Sequence, residues 1–265
     1  MTRRQRCMRN VHRVVVKIGT NVVTKRNGDP NAAWSRRFAA QIGRLRVQGY
    51  EIIVVSSGAI GAGRHVLDVH RPLESLAAKQ AAAAVGQPRL MRIYKDAFRR
   101  EGMRVAQILL TYDDLDSRLR SRNATNTIDA LLAMNVVPII NENDTVAVEE
   151  IKFGDNDYLS ALVCRYCRAD LLVLLSDVQG VLKDGTKQLD QTELIEHISA
   201  RTWRHEHATF HDLPNGRGTG GMRSKIMAAF AAVDSGAVAL IAPGQQTDVL
   251  HSILNGDPVG TLVTK

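Results

Sequence analysis

Short, almost unbroken apolar runs alternate along the chain with longer stretches in which apolar residues recur every three or four positions. Such runs read as parallel strands buried on both faces, and the longer segments as helices laid over them. Val14 to Ile18 opens the series. Trp34, Phe38, Ile42 and Leu45 then form a helical stripe that ends near Gly49, and Ile52 to Val55 is the next strand. Together these make one βαβ unit. The pattern predicts further strands at Val105–Leu110, Val136–Ile140, Leu171–Leu175 and Val238–Ile241. It predicts helices at Leu73–Val85, Pro88–Arg100, Asn123–Met134, Tyr158–Cys167 and Ser224–Val233. A mainly parallel sheet of about six to eight strands between two layers of helices follows, an α/β three-layer sandwich. No internal repeat or low-complexity linker interrupts the series, so residues 13–265 read as one domain.

Composition narrows the class. With 265 residues, 45% hydrophobic and 23% charged, the chain can bury a full core and is not a disordered or collagenous sequence. Its apolar runs fall far short of the roughly 20 residues that cross a bilayer, and no apolar segment of signal-peptide type follows the basic start. Three cysteines, Cys7, Cys164 and Cys167, fit a reducing cytoplasm better than a disulfide framework. The net charge of +8 suggests nucleic acid, but Arg3, Arg4, Arg6, Arg9 and Arg13 supply five of the 35 basic residues. Without them 30 basic residues face 27 acidic ones, or +3. Aromatics are 5% of the chain, too few to interleave with basic stripes, which argues against nucleic-acid binding. Residues 1–12 read as a flexible basic leader.

Open parallel sheets bind ligands beyond the carboxyl ends of their strands, and four such ends are polar or glycine-rich. They are Lys17 to Asn21, Ser56 to Gly63, Asn141 to Asp144, and Ser176-Asp177. Two further segments, Gly154 to Asp157 and Gly216 to Lys225, each open a helix. Glycine loops at helix starts expose backbone N–H groups toward an anion, so the two glycine-rich loops, Ser56 to Gly63 and Gly216 to Lys225, are phosphate candidates. Gly216-x-Gly218-x-x-Gly221 is not a dinucleotide fingerprint, because no buried strand precedes it, and no Walker A sequence is present. Lys17 closes an apolar strand, where an ammonium either meets an anion or snorkels to solvent. Asp155 and Asp157 flank Asn156 in a first helical turn, as N-caps or as functional carboxylates. Cys164 and Cys167 have a C-x-x-C spacing inside a helix, which reads as core packing. His205, His207 and His211 fit no structural zinc pattern and read as a solvated loop. No Gly-x-Ser-x-Gly elbow surrounds Ser56 or Ser57.

Seven segments in order carry a resemblance: VVVKIGTN at 14–21, SSGAIGAG at 56–63, KQAAAAVGQ at 79–87, INENDTVA at 140–147, KFGDNDYLSAL at 152–162, LLSDVQGV at 174–181 and GTGGMRSK at 218–225. From about residue 11 to the end, the chain closely resembles the glutamate 5-kinase branch of the amino acid kinase family. The pairing of NENDTVA with GDND distinguishes this branch from kinases of acetylglutamate, aspartate, carbamate and uridylate. The resemblance implies the amino acid kinase fold and transfer of the ATP γ-phosphoryl group to the γ-carboxylate of L-glutamate, with Mg²⁺, as the first step of proline biosynthesis. It implies Lys17, Asp157 and Lys225 as catalytic residues, and Ser57, Asp144 and Asn156 as substrate-binding residues; the Gly58 N–H joins these on geometry alone, as a cradle for the substrate carboxylate. The nucleotide side would comprise Lys17, Ser176, Asp177, Thr219, Gly220, Gly221, Met222, Arg223, Ser224 and Lys225.

It further implies a cytoplasmic homo-oligomer, proline as a feedback inhibitor, and coupling to a glutamyl phosphate reductase. Many bacterial members continue into a C-terminal domain of the PUA type, and the expectation here is the kinase core without it. After Gly180, Val181 to Asp184 stand where the family usually has leucine, tyrosine, threonine and an Asp-Pro pair. Ser176 stands where threonine is commoner. A kinase of the same fold acting on another acidic substrate is the alternative reading.

Overall fold

A computed structural model describes residues 1–147, 155–183, 194–206 and 221–265. Two compact units divide the chain, Met1–Lys17 with Phe153–Lys265, and Ile18–Lys152. In chain order the elements are α1 (Arg3–Met8), β1 (Arg13–Ile18), α2 (Thr20–Val23), α3 (Ala32–Val47), β2 (Glu51–Ser56), α4 (Ala59–Val66), α5 (Leu76–Arg100), β3 (Arg104–Leu110), α6 (Tyr112–Asp116), α7 (Arg118–Ala133) and β4 (Val136–Glu142). After these come α8 (Asp155–Tyr166), β5 (Leu171–Ser176), β6 (His197–Ser199), α9 (Ala200–Glu206), α10 (Met222–Asp234), β7 (Val238–Pro243), α11 (Val249–Asn255) and β8 (Thr261–Thr264).

In the Ile18–Lys152 unit the strand order is β3-β4-β2, all parallel, with Val55 level with Ile140 and Ile108 also level with Ile140. The predicted α3 stripe is buried as expected, and Trp34 stacks on Phe38 with ring centroids 4.9 Å apart. Asn31 caps this helix by accepting from the Trp34 N–H. Gly49, at φ +92°, takes the left-handed turn that ends it. Two helices were expected on either side of Pro88. Instead α5 runs unbroken from Leu76 to Arg100. The missing Pro88 N–H frees the Ala84 carbonyl, and both residues are exposed, so water can take the place of the lost bond. Where α4 meets α5 the backbones nearly touch: a methyl added at Gly63 would lie within the Ala82 carbonyl, and one at Gly86 within that of Ala59.

In the other unit the order is β1-β5-β7-β8-β6. β5 pairs parallel with β7 and β6 with β8, while β7 and β8 are antiparallel. Every residue of β5 is buried, which is why its five-residue apolar run carries no alternation. β6 and β8, three and four residues long, were missed because such lengths hold too little pattern to register.

The Arg-rich start is not a frayed leader. Thr2 and Gln5 form a capping box on α1, and Arg4 donates to the carbonyls of Val259 and Gly260 at 2.6 Å each and of Glu196 at 2.9 Å. Met8 is buried. Arginine at this spacing reads as solvated charge, and nothing local signals that its guanidinium meets carbonyls some 250 residues away. Cys164 and Cys167 are free thiols packed in the core, and burial, helped by Cys167 and Asp170, pushes the Cys164 thiol up to about 12. Among the described residues no helix is long and apolar enough to cross a membrane.

Candidate active site

One cluster is built wholly within the unit that joins residues 1–17 to the later part of the chain. Lys17 is the last residue but one of β1, α8 holds Asn156 and Asp157 in its first turn, and α10 carries Ser224 and Lys225 in its own first turn. Lys17 Nζ lies 2.6 Å from Asp157 Oδ1, and Lys225 Nζ lies 3.3 Å from Asp157 Oδ2. The Ser224 hydroxyl is 2.8 Å from Asp157 Oδ2 and 2.7 Å from the Gly221 carbonyl, so its single proton has two acceptors. Asp157 has no exposed surface, and both lysines are buried.

Burial alone would raise the Asp157 carboxyl, yet the Lys17 and Lys225 ammoniums, with hydrogen bonds from Lys17 and Ser224, hold it below the usual carboxylate range. The Lys225 ammonium is pushed down, first by burial and also by Lys17, against the upward pull of Asp157 and Asp177. Two ammoniums around one carboxylate leave one positive charge in excess within the cluster. A desolvated excess of this kind is stabilised by an anion, and a phosphoryl group in transfer is one.

Around this cluster the expected nucleotide residues divide. Ser176 is buried at the end of β5, its hydroxyl 3.1 Å from the exposed Asp177 carboxylate, while its carbonyl accepts from the Gly244 N–H at 2.7 Å. Gly221 is the N-cap of α10 and contributes no side chain to the cap; Met222 is half-buried and Arg223 exposed. The N–H groups at the start of that helix, with the helix dipole, favour an anion. Thr219 and Gly220 lie outside the described residues, as do His207, His211, Asp184 and the side chain of His205.

The Ile18–Lys152 unit holds the other expected residues. Ser57 is buried just past the end of β2 and donates its N–H to the Ile18 carbonyl at 3.2 Å. Gly58 follows at φ +105° as the N-cap of α4, with no capping side chain, so a β-carbon there would strain the turn and press on Val23 and Thr24. Of the glycines in SSGAIGAG, Gly58 alone stands at the helix mouth; Gly63 serves the helix crossing described above. Asp144 is half-buried in the turn after β4, whose Asn143 N–H donates to the Leu110 carbonyl at 2.9 Å. Asn156 belongs to the first cluster's unit, beside Asp157.

Comparison with known proteins decides between the families that could own such a cluster. Residues 12–242 match the model of the amino acid kinase family. A glutamate 5-kinase of Geobacter sp. (strain M21) is 44% identical over 259 residues, covering 98% of this chain and 69% of that protein. The glutamate 5-kinase of Geobacter metallireducens is 46% identical over 255 residues, covering 96% and 68%. The chain belongs to the amino acid kinase family, among its glutamate 5-kinases.

Among solved structures, carbamate kinase from Giardia lamblia bound to AMP-PNP superposes with a TM-score of 0.68 at 14% identity, covering 97% of this chain and 99% of that one. N-acetylglutamate synthase from Neisseria gonorrhoeae gives 0.69 at 13%, covering 99% and 62%. These confirm the amino acid kinase fold. Within this family the three charged residues picked from the sequence are the ones that meet in one cluster. What sequence reasoning missed is that Ser224, taken as a nucleotide contact, also holds Asp157. Its position three residues after the Gly221 cap was the available signal.

Proposed function

We propose that residues 13–265 form the catalytic domain of an ATP-dependent glutamate 5-kinase, carrying out the first step of proline biosynthesis. The observation that carries this reading is the buried Lys17–Asp157–Lys225 cluster with its excess positive charge. The γ-carboxylate of glutamate, with an ordinary pKa near 4.3, is already ionised at neutral pH, so the nucleophile needs no general base. One carboxylate oxygen forms a bond to the γ-phosphorus as the bond from that phosphorus to the bridging oxygen breaks, giving glutamyl 5-phosphate and ADP. Catalysis is then positioning and charge neutralisation. Lys17 and Lys225 balance charge on the transferred oxygens, and Asp157 orients both ammoniums. Ser176, Asp177 and the Gly221 to Lys225 turn take the nucleotide side, with Thr219 and Gly220 assigned there on the family resemblance alone.

Asp144 pairs with the substrate's α-ammonium, Asn156 with its polar groups, and Ser57 with the Gly58 N–H takes a carboxylate. Proline shares the α-carboxylate and ammonium but lacks the γ-carboxylate, so it would occupy the amino acid site without offering a nucleophile, and inhibit competitively. Mg²⁺ is the expected counter-ion of the nucleotide. Among the described residues no group of three or more His, Cys, Asp or Glu could cage a metal, and Asp157 is engaged by two ammoniums, so the described residues do not fit a protein-held ion. A nucleotide-borne Mg²⁺ keeps several waters and needs no such cage. A cytoplasmic location, self-association and hand-over of the reactive acyl phosphate to a glutamyl phosphate reductase complete the reading.

The test is ADP release measured with glutamate, N-acetylglutamate, aspartate, carbamate and UMP as acceptors. Glutamate should be preferred, and N-acetylglutamate, which lacks the ammonium, should be strongly disfavoured. Preference for any other acceptor would transfer the assignment to a kinase of another acidic substrate.

A further inference from the structure

Helix α5 carries three polar side chains at seven-residue intervals, Gln80, Gln87 and Tyr94. Seven residues are close to two helical turns, so all three lie along one stripe with little angular drift. Each reaches the backbone or side chain of a segment proposed to hold substrate. Gln80 Nε2 donates to the Ala147 carbonyl at 3.1 Å. Gln87 Oε1 accepts from Asn141 Nδ2 at 2.8 Å, and Asn141 Oδ1 in turn accepts from the Glu142 N–H at 2.9 Å. Tyr94 Oη lies 2.8 Å from Ser56 Oγ, which donates to the Ser57 carbonyl at 3.0 Å. With the Ser56 proton committed to Ser57, Tyr94 is the donor in its own bond.

These bonds are aimed at corresponding places. Val55 is level with Ile140 on the paired strands β2 and β4, so Ser56 and Asn141 are the next residues of each at one sheet edge. Tyr94 therefore fastens the end of β2, Gln87 the end of β4, and Gln80 the far side of the turn that contains Asp144. Gln87 and Asn141 are buried, Tyr94 and Ser56 have no exposed surface, and burial raises the Tyr94 phenol so that it stays protonated at any working pH. A stripe that only had to pack would be apolar, as Leu90 and Phe98 are on the same helix. Buried polar groups persist where they define a geometry, because each lost partner leaves a desolvated group behind.

We propose that Gln80, Gln87 and Tyr94 are positioning residues for the amino acid half of the site, setting the Ser57–Gly58 peptide and the turn that bears Asp144. None touches the transferred phosphoryl group. Their loss raises the KM for glutamate and leaves the KM for ATP and the pH profile of kcat unchanged. This rests on the assignment of Ser57 and Asp144 to glutamate.

The experiment is steady-state kinetics on the full chain and on Tyr94→Phe, Gln87→Leu and Gln80→Leu, each checked for folding by thermal melting. Glutamate KM should rise about fivefold or more in Tyr94→Phe and Gln87→Leu and about threefold in Gln80→Leu, with ATP KM within twofold. Destabilisation alone would lower the active fraction, and hence apparent kcat, without moving either KM. Should the two fully buried variants fail to fold, the half-buried Gln80→Leu carries the test. Folded variants with glutamate KM within twofold of the parent, or with both KM values raised equally, overturn the proposal. An unmodified chain that does not phosphorylate glutamate instead overturns the functional assignment. In that case the variants are read against whichever acceptor the parent prefers, and an unchanged KM for it overturns the positioning role too.

Discussion

Lys225 is the residue at which the chemistry can be tested most sharply. The proposed mechanism uses its ammonium charged, while burial and Lys17 both favour loss of a proton against the upward pull of Asp157 and Asp177. Lys225→Ala should lower kcat by about 10²-fold or more with a smaller change in glutamate KM, since the charge it balances develops only in the transition state. A near-normal kcat would remove Lys225 from the catalytic set. The depressed pKa adds a second expectation. Activity should fall on the alkaline side at a pH below the ordinary lysine value near 10.4, because the active, protonated form is lost as pH rises through the lowered pKa. Whatever activity Lys225→Arg retains should lack that limb, as a guanidinium stays charged there. The pH profile of kcat/KM measured on both proteins decides it; an identical limb in the variant would assign the titration elsewhere. Lys17 was legible because an ammonium at the end of an apolar strand is costly without an anion, whereas Asp157 and Lys225 stood out only through the family motifs, an acid in a first helical turn being an ordinary cap. The Ser224 bond to Asp157 and the three α5 anchors were not legible, since glutamine, serine and tyrosine are unremarkable in any window of sequence.

At the scale of elements, the long periodic segments were readable and the junctions were not. The stripe of α3 and its glycine stop came through intact, because burial, cap and turn all agreed there. Pro88 misled, since the cost of proline in a helix is greatest where the freed carbonyl is shut away from solvent, and Ala84 is exposed. The glycines of SSGAIGAG and KQAAAAVGQ showed a need for closeness but not to what. Gly63 meets the Ala82 backbone, which cannot yield as a flexible side chain would. Gly63→Ala should therefore cost about 3 kcal/mol or more by forcing α4 from α5. Gly43, inside α3, is the control: an added methyl there meets nothing nearer than Met103 Cε at 3.5 Å. Gly43→Ala should stabilise by about 0.5–1 kcal/mol through helix propensity. Denaturant unfolding of the pair should give opposite signs. Equal destabilisation by both would show that the α4–α5 approach is not tight.

Across the whole molecule, the charge balance misdirected the reading of the N-terminal arginines while the acidic groups set the response to pH. Arg4 ties α1 to three carbonyls near β6 and β8, so Arg4→Ala should cost about 2 kcal/mol and about 4–8 °C in Tm by leaving them short of a donor; an unchanged Tm would restore the solvated leader. The pH response follows from several groups acting together. Asp157 is held low by its lysines and Ser224. Asp29 and Asp114 are also lowered although burial opposes it, Asp29 by Arg89, His65 and Lys25, and Asp114 by hydrogen bonds from Thr111 and by Arg120. A carboxylate with a depressed folded pKa adds stability that is complete above the unfolded value, near 3.9, and is lost as pH falls through the folded one. His197, lowered by burial and by Arg3 and Arg4, works in the same sense below about 6.5, because the unfolded chain takes up that proton more readily. Stability should therefore rise with pH from 3 to 7, most steeply below about 4. Asp157→Asn should cost about 3–5 kcal/mol at pH 7, where it leaves two ammoniums facing each other, and the gap to the parent should narrow below about pH 4, as the Asp157 carboxylate of the unfolded parent takes up a proton that the folded one resists. Urea titrations of both proteins at several pH values measure this directly, and a gap that stays constant from pH 7 to pH 3 would mean that the Asp157 charge does not stabilise the fold.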